Sequence, residues 1–290
     1  MALSPNLLSS GQAILWGVLV ALACTVPLAW KWQLGVRRVA TFVLAVGAAC
    51  GVSLAWLEPQ LALAARASIL AGCTICLSAL YLAYRFYRDP ECTPPTQPGA
   101  IVSPAEGLVI YVKRSEGGEI PVSTKHGRHC PLSELLKTSF YSSDVWVVGI
   151  SMSLLDVHVN RAPIAGKVIF QKHFPGLFGS LRLPERTFDN ERATTIVASG
   201  DLQIAIVQIA SRLVRQIVSY VKVGDDVAFT QRIGAIRLGS QVDVVIPVRD
   251  DIEVTVAVGD HVKAGESVLA YCARSAGKLS DRHAVTGKHA

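Results

Sequence analysis

A glycine followed by a serine, at the start of an apolar segment, is the pair of residues in this chain best suited to covalent chemistry. Gly239 and Ser240 lie just before the strand-like residues 242–247. A serine hydroxyl can attack the carbonyl of the residue before it, and glycine leaves that carbonyl sterically open because it has no side chain. The hydroxyl becomes a good nucleophile only when a base removes its proton. The hypothesis is therefore self-cleavage between Gly239 and Ser240, and a lone Gly-Ser pair needs support from other motifs.

Two motifs upstream carry groups suited to assisting such a serine. Residues 103–107 read Ser-Pro-Ala-Glu-Gly, and residues 156–166 read Asp-Val-His-Val-Asn-Arg-Ala-Pro-Ile-Ala-Gly. His158 is our candidate for the base and Glu106 for the carboxylate that orients it. Each residue also has a simpler interpretation. The histidine alternates with valines, as in a strand whose polar side faces solvent, and the glutamate lies in a sequence typical of a solvated turn.

The N-terminal part of the chain has the composition of a membrane anchor. The chain is 51% hydrophobic and 17% charged, with a mean hydropathy of +0.39, which is too apolar for an ordinary soluble domain. Runs near 12–30, 39–57 and 67–84 contain no charged residue, and about 20 apolar residues cross a bilayer as a helix. A single run could be a buried core helix, but three in succession predict a membrane anchor over residues 1–89.

Basic residues predict the orientation of this anchor. They lie between the first two runs and after the third, at Lys31, Arg37, Arg38, Arg85 and Arg88. Positively charged loops remain on the cytoplasmic side of a membrane. The sequence therefore predicts the cell (inner) membrane as the location, with the C-terminal domain on the cytoplasmic side.

The remaining composition excludes several function classes. A net charge of +6 without an arginine-rich stripe argues against nucleic acid as a partner. The seven cysteines are an odd number, and in a domain that faces the cytoplasm we expect them to be reduced. His126, His129 and Cys130 have the residue types of a zinc site, but no fourth ligand stands out in the sequence, so no metal is predicted.

The rest of the chain has the pattern of a β-rich domain. Stacked prolines make residues 90–98 a linker. Short β-branched and aromatic runs follow from residue 99 onward, with one short helix predicted over 132–137. The predicted fold class is α+β, with N-terminal transmembrane helices followed by a β-rich catalytic domain over residues 99–290.

The three motifs, taken in order, resemble those of phosphatidylserine decarboxylase proenzymes of the shorter bacterial and archaeal-type branch. The likeness runs from about Tyr84 to Tyr271 and includes Asn190-Glu191-Arg192 in a loop. It implies a pyruvoyl group made from Ser240 by autocatalytic cleavage after Gly239, and decarboxylation of phosphatidylserine to phosphatidylethanolamine. The β chain (1–239) and the α chain (240–290) are expected to stay tightly associated.

Two positions depart from the family pattern. Glu106 stands where the family usually has aspartate, and Arg161 stands where members of the larger branch have a histidine. Arg161 could bind the lipid phosphate or carboxylate through its planar fork, or form a structural salt bridge. The glutamate keeps a second function class open, a membrane-tethered pseudoenzyme or adaptor that does not process itself. A third possibility retains the chemistry but changes the serine phospholipid.

Aromatic residues beside a turn provide a candidate contact with the bilayer. Phe174 and Phe178 flank the Pro-Gly pair at 175–176. The hypothesis is that they dip into the membrane near the substrate, since the headgroup must reach Ser240 while the acyl chains stay in lipid. Two core phenylalanines on either side of a turn are the alternative.

Overall fold

A computed structural model describes the chain over nine ranges: residues 5–31, 34–57, 62–115, 119–123, 128–136, 144–176, 190–210, 216–236 and 240–273. The structure divides into two compact units. The first comprises Met1–Arg88 with Ser153–Leu155, and the second comprises Asp89–Met152 with Asp156–Ala290. Within the described residues the first unit is helical and the second consists mainly of strands, which confirms the predicted fold class.

The first unit contains three long helices among its described residues: α1 Pro5–Lys31, α2 Val36–Leu57 and α3 Leu63–Tyr87. All three are long and apolar enough to cross a membrane, so they indicate that the protein is membrane-associated. They pack closely at glycines. A Cβ at Gly17 would lie 2.7 Å from Leu70 Cδ2, and a Cβ at Gly47 would lie 2.6 Å from Val18 Cγ2. Small residues let membrane helices approach in this way.

The second unit contains one short helix, α4 Leu132–Leu136, and sixteen strands among its described residues. The strands are β1 Ala100–Val102, β2 Gly107–Arg114, β3 Glu119–Ser123, β4 Arg128–Pro131, β5 Val145–Met152, β6 Val159–Arg161, β7 Gly166–Phe174, β8 Arg192–Ser199, β9 Leu202–Ala210, β10 Ile217–Ser219, β11 Asp226–Val227, β12 Arg232–Ile236, β13 Ser240–Pro247, β14 Ile252–Val254, β15 His261–Val262 and β16 Val268–Cys272.

Antiparallel pairing joins these strands into one large sheet and three small ones. The large sheet has the order β11-β7-β8-β9-β13-β5-β2-β15. Two of the small sheets have the orders β1-β16-β14 and β10-β12-β6, and β3 pairs with β4. Strand β13, which begins at Ser240, lies in the interior of the large sheet between β5 and β9. The strand that follows the Gly-Ser pair is thus hydrogen-bonded on both edges.

Strand β13 is also buried on both faces. Val242, Val244 and Ile246 belong to the main apolar cluster, while Val245 packs in a second cluster that includes the leucines of α4. Side chains alternate between the two faces along a strand. A strand that packs against apolar residues on both faces has a nearly continuous apolar sequence. Residues 242–247 have such a sequence, apart from Asp243.

The proline-rich segment, predicted as a linker, forms neither helix nor strand over residues 88–96. It is nevertheless attached to its own unit by hydrogen bonds. The Thr93 N–H donates to Glu266 Oε1 at 3.2 Å, and the Tyr271 hydroxyl donates to Gln97 Oε1 at 2.8 Å. The segment therefore lies along the C-terminal part of the β-rich unit.

Candidate active site

Strand pairing brings the histidine motif next to the segment that leads into the Gly-Ser pair. β6 pairs antiparallel with β12, with Arg161 opposite Arg232. Just beyond this pairing, the Ile236 N–H donates to the carbonyl of His158 at 3.1 Å. Gly239 follows Ile236 by three residues, a separation that spans at most about 10 Å of chain. Residues 237–239, including Gly239, lie outside the described part of the structure.

The other side of the Gly-Ser pair is fixed by the large sheet. Ser240 is the first residue of β13, and its Cα partners are Met152 on β5 and Ala210 on β9. Met152 is the last residue of β5, and only three residues separate it from the Asp-Val-His segment. Both flanks of the Gly-Ser pair are therefore anchored close to the chain that carries His158.

His158 is a buried histidine with a defined tautomer. Its side chain is buried, with 4% of the residue exposed, so the solvent-facing interpretation is wrong. Nδ1 lies 2.8 Å from the carbonyl oxygen of Asp156. A carbonyl can only accept, so Nδ1 carries the hydrogen and the neutral ring has its lone pair on Nε2. Burial lowers the pKa of His158, although the hydrogen bond and charge of Asp156 partly oppose the shift. The ring is therefore neutral at pH 7, as a base must be.

The Ser-Pro-Ala-Glu-Gly motif packs directly against the histidine motif. The carbonyl of Pro104 accepts the Arg161 N–H at 2.9 Å and the side-chain amide of Asn160 at 3.4 Å. The buried Ser103 hydroxyl donates to the carbonyl of Ala105 at 2.6 Å and closes the turn. Glu106 follows this turn, is partly buried and immediately precedes β2. The structure thus joins the first two motifs through backbone contacts that no sequence pattern revealed.

Gln208 is a site residue that the sequence did not predict. It is buried on β9 and donates through Nε2 to Asn160 Oδ1 at 2.8 Å. It also lies against Gly234 on β12, where a Cβ would stand 3.1 Å from Gln208 Nε2 and 2.6 Å from the carbonyl of Val218. The polar pair of Asn160 and Gln208 thus ties β6 to the large sheet beside the histidine. The available signal was a glutamine that interrupts the otherwise apolar residues 204–210.

Arg161 is engaged by protein groups. Its side chain is 5% exposed and donates to the carbonyls of Thr230 at 3.0 Å and Pro90 at 2.9 Å. One guanidinium nitrogen also lies 3.4 Å from Asp89 Oδ1. The structure therefore places Arg161 in a salt bridge and in contact with the proline-rich segment. A role in binding the lipid headgroup stays a prediction.

A second arginine completes this charged cluster. Arg232, opposite Arg161 on β12, contacts Asp89 Oδ2 at 2.6 Å and Glu91 Oε1 at 2.7 Å. The carboxylate of Asp89 therefore bridges the two arginines, one oxygen to each. Arg232 is about one-third exposed, and exposed ion pairs contribute little stability individually. Their effect here is to fix where residues 89–91 lie on the β-rich unit.

His261 is a second histidine near the site and was also missed. Its Nε2 lies 3.3 Å from Asp156 Oδ1, and the histidine is about half exposed while the aspartate is buried. His261 belongs to β15, which pairs with β2 next to Gly107. It therefore brings a residue from beyond the Gly-Ser pair into contact with the residue that orients His158.

Phe174 ends β7 and is partly buried. The ammonium of Lys172 lies 5.4 Å from its ring centroid, and the neighbouring His173 Nε2 lies 2.7 Å from Glu191 Oε1. Phe178 lies outside the described residues, as does His126. The bilayer contact of the two phenylalanines stays a prediction. No cluster of three or more potential metal ligands occurs among the residues that the structure describes.

The β-rich part of the chain is similar to known proteins. A model of the family "Phosphatidylserine decarboxylase" matches residues 80–270. The phosphatidylserine decarboxylase proenzyme of Mycolicibacterium gilvum is 39% identical over 186 residues, which cover 64% of this chain and 72% of the relative. That of Mycolicibacterium vanbaalenii is 40% identical over 186 residues, with the same coverage. The putative archaetidylserine decarboxylase proenzyme of Methanocaldococcus jannaschii is 38% identical over 201 residues, which cover 69% of this chain and 93% of the relative.

The family match spans well over half of the 290 residues and includes all three motifs. The family suggested by these motifs is therefore confirmed, and so is the inference that the protein is an enzyme. The chain belongs to the phosphatidylserine decarboxylase family.

Proposed function

We propose that this protein is a membrane-anchored proenzyme that cleaves itself between Gly239 and Ser240 and then decarboxylates phosphatidylserine to phosphatidylethanolamine. The observation that carries the proposal is the hydrogen bond from Ile236 to the carbonyl of His158. It holds the segment before the Gly-Ser pair beside a buried histidine whose Nε2 has the lone pair of a base. The register of Ser240 opposite Met152 supports the same placement from the other side.

Self-cleavage follows from residues of the chain itself. His158 takes the proton of the Ser240 hydroxyl, whose oxygen attacks the Gly239 carbonyl and displaces the amide nitrogen of Ser240. The Gly239 acyl group moves from nitrogen to oxygen and forms an ester. Removal of the Ser240 α-proton expels the Gly239 carboxylate and leaves a dehydroalanine. Water converts this residue to a pyruvoyl group and releases ammonia. The carbonyl of Asp156 orients the ring through Nδ1, and the predicted Glu106 carboxylate is proposed to assist the proton transfer.

The position of Ser240 suits a pyruvoyl group at that residue. As the first residue of a strand paired on both edges, it has neighbours in the sheet that do not depend on the bond that is cut. A pyruvoyl group at Ser240 would supply a carbonyl for the substrate amine and an acceptor for the electrons released with CO₂. His158 is proposed to return a proton to the substrate α-carbon. Because burial lowers the pKa of His158, the ring readily gives up a proton that it has taken up.

The substrate class is a serine phospholipid in the membrane that holds the helices. The relatives are named for phosphatidylserine and for archaetidylserine. The common element in these names is a phospholipid with a serine headgroup, which supplies the amine and the carboxylate that the reaction needs. We propose phosphatidylserine as the substrate. We also propose that the β-rich unit faces the cytoplasm, because basic residues lie at the C-terminal end of α3, at Arg85 and Arg88.

Intact mass analysis of the full-length protein, purified in detergent, tests this proposal. We expect the wild type to yield two fragments that divide after Gly239, with a pyruvoyl-blocked α chain, and to release CO₂ from phosphatidylserine vesicles. The Ser240→Ala variant is the control and should remain one inactive chain of 31.0 kDa. A single wild-type chain with an intact serine would instead favour the tethered adaptor. Cleaved protein active only on archaetidylserine would change the substrate and keep the chemistry.

A further inference from the structure

A buried hydrogen-bonded cluster lies on the face of the large sheet where α4 packs. The Tyr111 hydroxyl donates to Asp243 Oδ2 at 2.7 Å. Gln241 Nε2 donates to Asp243 Oδ1 at 2.7 Å and to the Tyr111 hydroxyl oxygen at 2.8 Å. Gln241 and Asp243 are almost completely buried. The three side chains thus form a closed triangle of hydrogen bonds, which the cleavage chemistry does not use.

The cluster connects three neighbouring strands through a glycine. Gly149 on β5 is the Cα partner of Asp243 on β13 and also of Tyr111 on β2. The tyrosine ring therefore crosses over β5 to reach Asp243. A Cβ at Gly149 would stand only 2.3 Å from Tyr111 Cζ, so this crossing requires glycine. The hydrogen bonds form only when all three strands are in this register.

The buried carboxylate of Asp243 makes the stability of this cluster depend on its hydrogen bonds. Burial raises the pKa of Asp243 to about 6, although Gln241, Tyr111, Arg192 and Lys113 oppose the shift. Asp243 is therefore mostly ionised at pH 7 and depends on its two hydrogen-bond donors. A buried charge that loses its partners is strongly destabilising. Displacing β13 along its neighbours would separate Asp243 from Tyr111, so this displacement has a high cost in free energy.

Cleavage changes how the start of β13 is held in place. In the precursor, β13 is held at its start by the covalent chain. After cleavage, Ser240 becomes the first residue of the α chain, and chain ends fray unless they are tied down. Gln241 and Asp243 become the second and fourth residues of that chain. We propose that Tyr111, Gln241 and Asp243 form a register lock that holds the cofactor-bearing end of β13 in place after cleavage.

The register lock deepens the proposed function and rests on it, because it matters only if the Gly239–Ser240 bond breaks. Its members are positioning residues, since they act through hydrogen bonds to one another and set the register of the strand that begins at Ser240. A slip of one residue would exchange the two faces of β13 and place Asp243 against the main apolar cluster. A small displacement of a reacting group can reduce a rate by 100-fold. The lock therefore connects strand register to turnover.

Removing one hydroxyl from the lock in two backgrounds tests the proposal. Tyr111→Phe is made in the wild type, which cleaves, and in Ser240→Ala, which does not. We expect the melting temperature to fall by about 5 °C in the cleaved protein and by about 2 °C in the uncleaved protein. We also expect kcat to fall about tenfold, with KM changed less than about twofold.

Thr194→Val is the matched control. Thr194 is fully buried on β8, where its hydroxyl donates to the carbonyl of Leu136 at 2.9 Å. This substitution also removes one buried hydroxyl, but from a strand that keeps its covalent connections. Its effect on the melting temperature should be equal in the two backgrounds, and kcat should be unchanged.

Hydrogen exchange of peptide 240–247 provides a second readout that does not depend on unfolding temperature. In cleaved Tyr111→Phe, these amides should exchange about tenfold faster or more than in the cleaved wild type, while the uncleaved pair should differ little. Equal melting losses in both backgrounds with unchanged kcat and exchange would overturn the register lock and leave the proposed function intact. A wild type that never cleaves would overturn both.

Discussion

His158→Gln is expected to slow self-cleavage by about 100-fold or more, because general-base assistance typically contributes a factor of that size or larger. Glutamine can still bond the Asp156 carbonyl but has no basic nitrogen for the Ser240 hydroxyl. Newly synthesised precursor followed over time on a denaturing gel measures the rate. Cleavage at the wild-type rate would show that the base is a different group.

The pH dependence of the same rate provides an independent check. Burial lowers the pKa of His158, so protonation of the ring in the folded protein occurs below the ordinary histidine value of about 6.5. Only the neutral ring can take the serine proton. The wild-type rate should therefore be constant from pH 8 to about 6.5 and fall at lower pH.

His261→Gln is the matched control for this variant. His261 contacts the Asp156 carboxylate from β15 and is about half exposed. Its replacement should change the cleavage rate by less than about threefold, because the group that holds His158 Nδ1 is the backbone carbonyl of Asp156. A large loss for His261→Gln would instead give this histidine a direct part in the chemistry.

Arg192→Met is expected to lower the free energy of unfolding of the β-rich unit by about 3–5 kcal/mol, because each buried acceptor that loses its donor costs about 1–3 kcal/mol. Arg192 is completely buried. Its guanidinium donates to the carbonyl of Glu134 at 3.2 Å and to that of Leu135 at 2.9 Å. These carbonyls lie at the end of α4, where a helix has no partners of its own for them. Methionine has a similar length but leaves these buried acceptors without the arginine donors.

Thermal unfolding of the Ser240→Ala background measures this loss without interference from cleavage. For a unit of this size we expect the melting temperature to fall by roughly 10 °C. Arg249→Met is the matched control. Arg249 is partly exposed and pairs with Asp201 and Asp251, so its loss should cost about 1 kcal/mol or less. Equal losses for the two variants would contradict the role assigned to Arg192.

Local patterns in the sequence predicted much of the fold. The three apolar runs correspond to α1, α2 and α3, and the helix predicted over 132–137 corresponds to α4 Leu132–Leu136. These elements depend on residues close together in the chain. Strand β7, in contrast, extends over Gly166–Phe174 and includes the polar residues 171–173. Its polar end is held by pairing with β8, a contact that periodicity does not reveal.

The residues of the candidate site also fall into those that local motifs predicted and those that depend on distant contacts. His158, Glu106 and the Gly-Ser pair were predicted because each lies in a short motif. Gln208 was missed because its partner Asn160 is distant in sequence. Asp243 was missed for a different reason. It interrupts an apolar run, which gives no sign of a tyrosine reaching it across an intervening strand. Buried polar contacts between distant segments depend on tertiary register, and a single sequence carries little information about register.

The interior position of β13 has a consequence for the molecularity of folding. The precursor folds in a unimolecular reaction, because both neighbours of this strand belong to the same polypeptide. After the proposed cleavage, β5 and β9 belong to one polypeptide and β13 to another. Refolding then requires two molecules to meet, and its yield depends on protein concentration. The mature enzyme would thus be maintained by slow unfolding rather than by ready refolding.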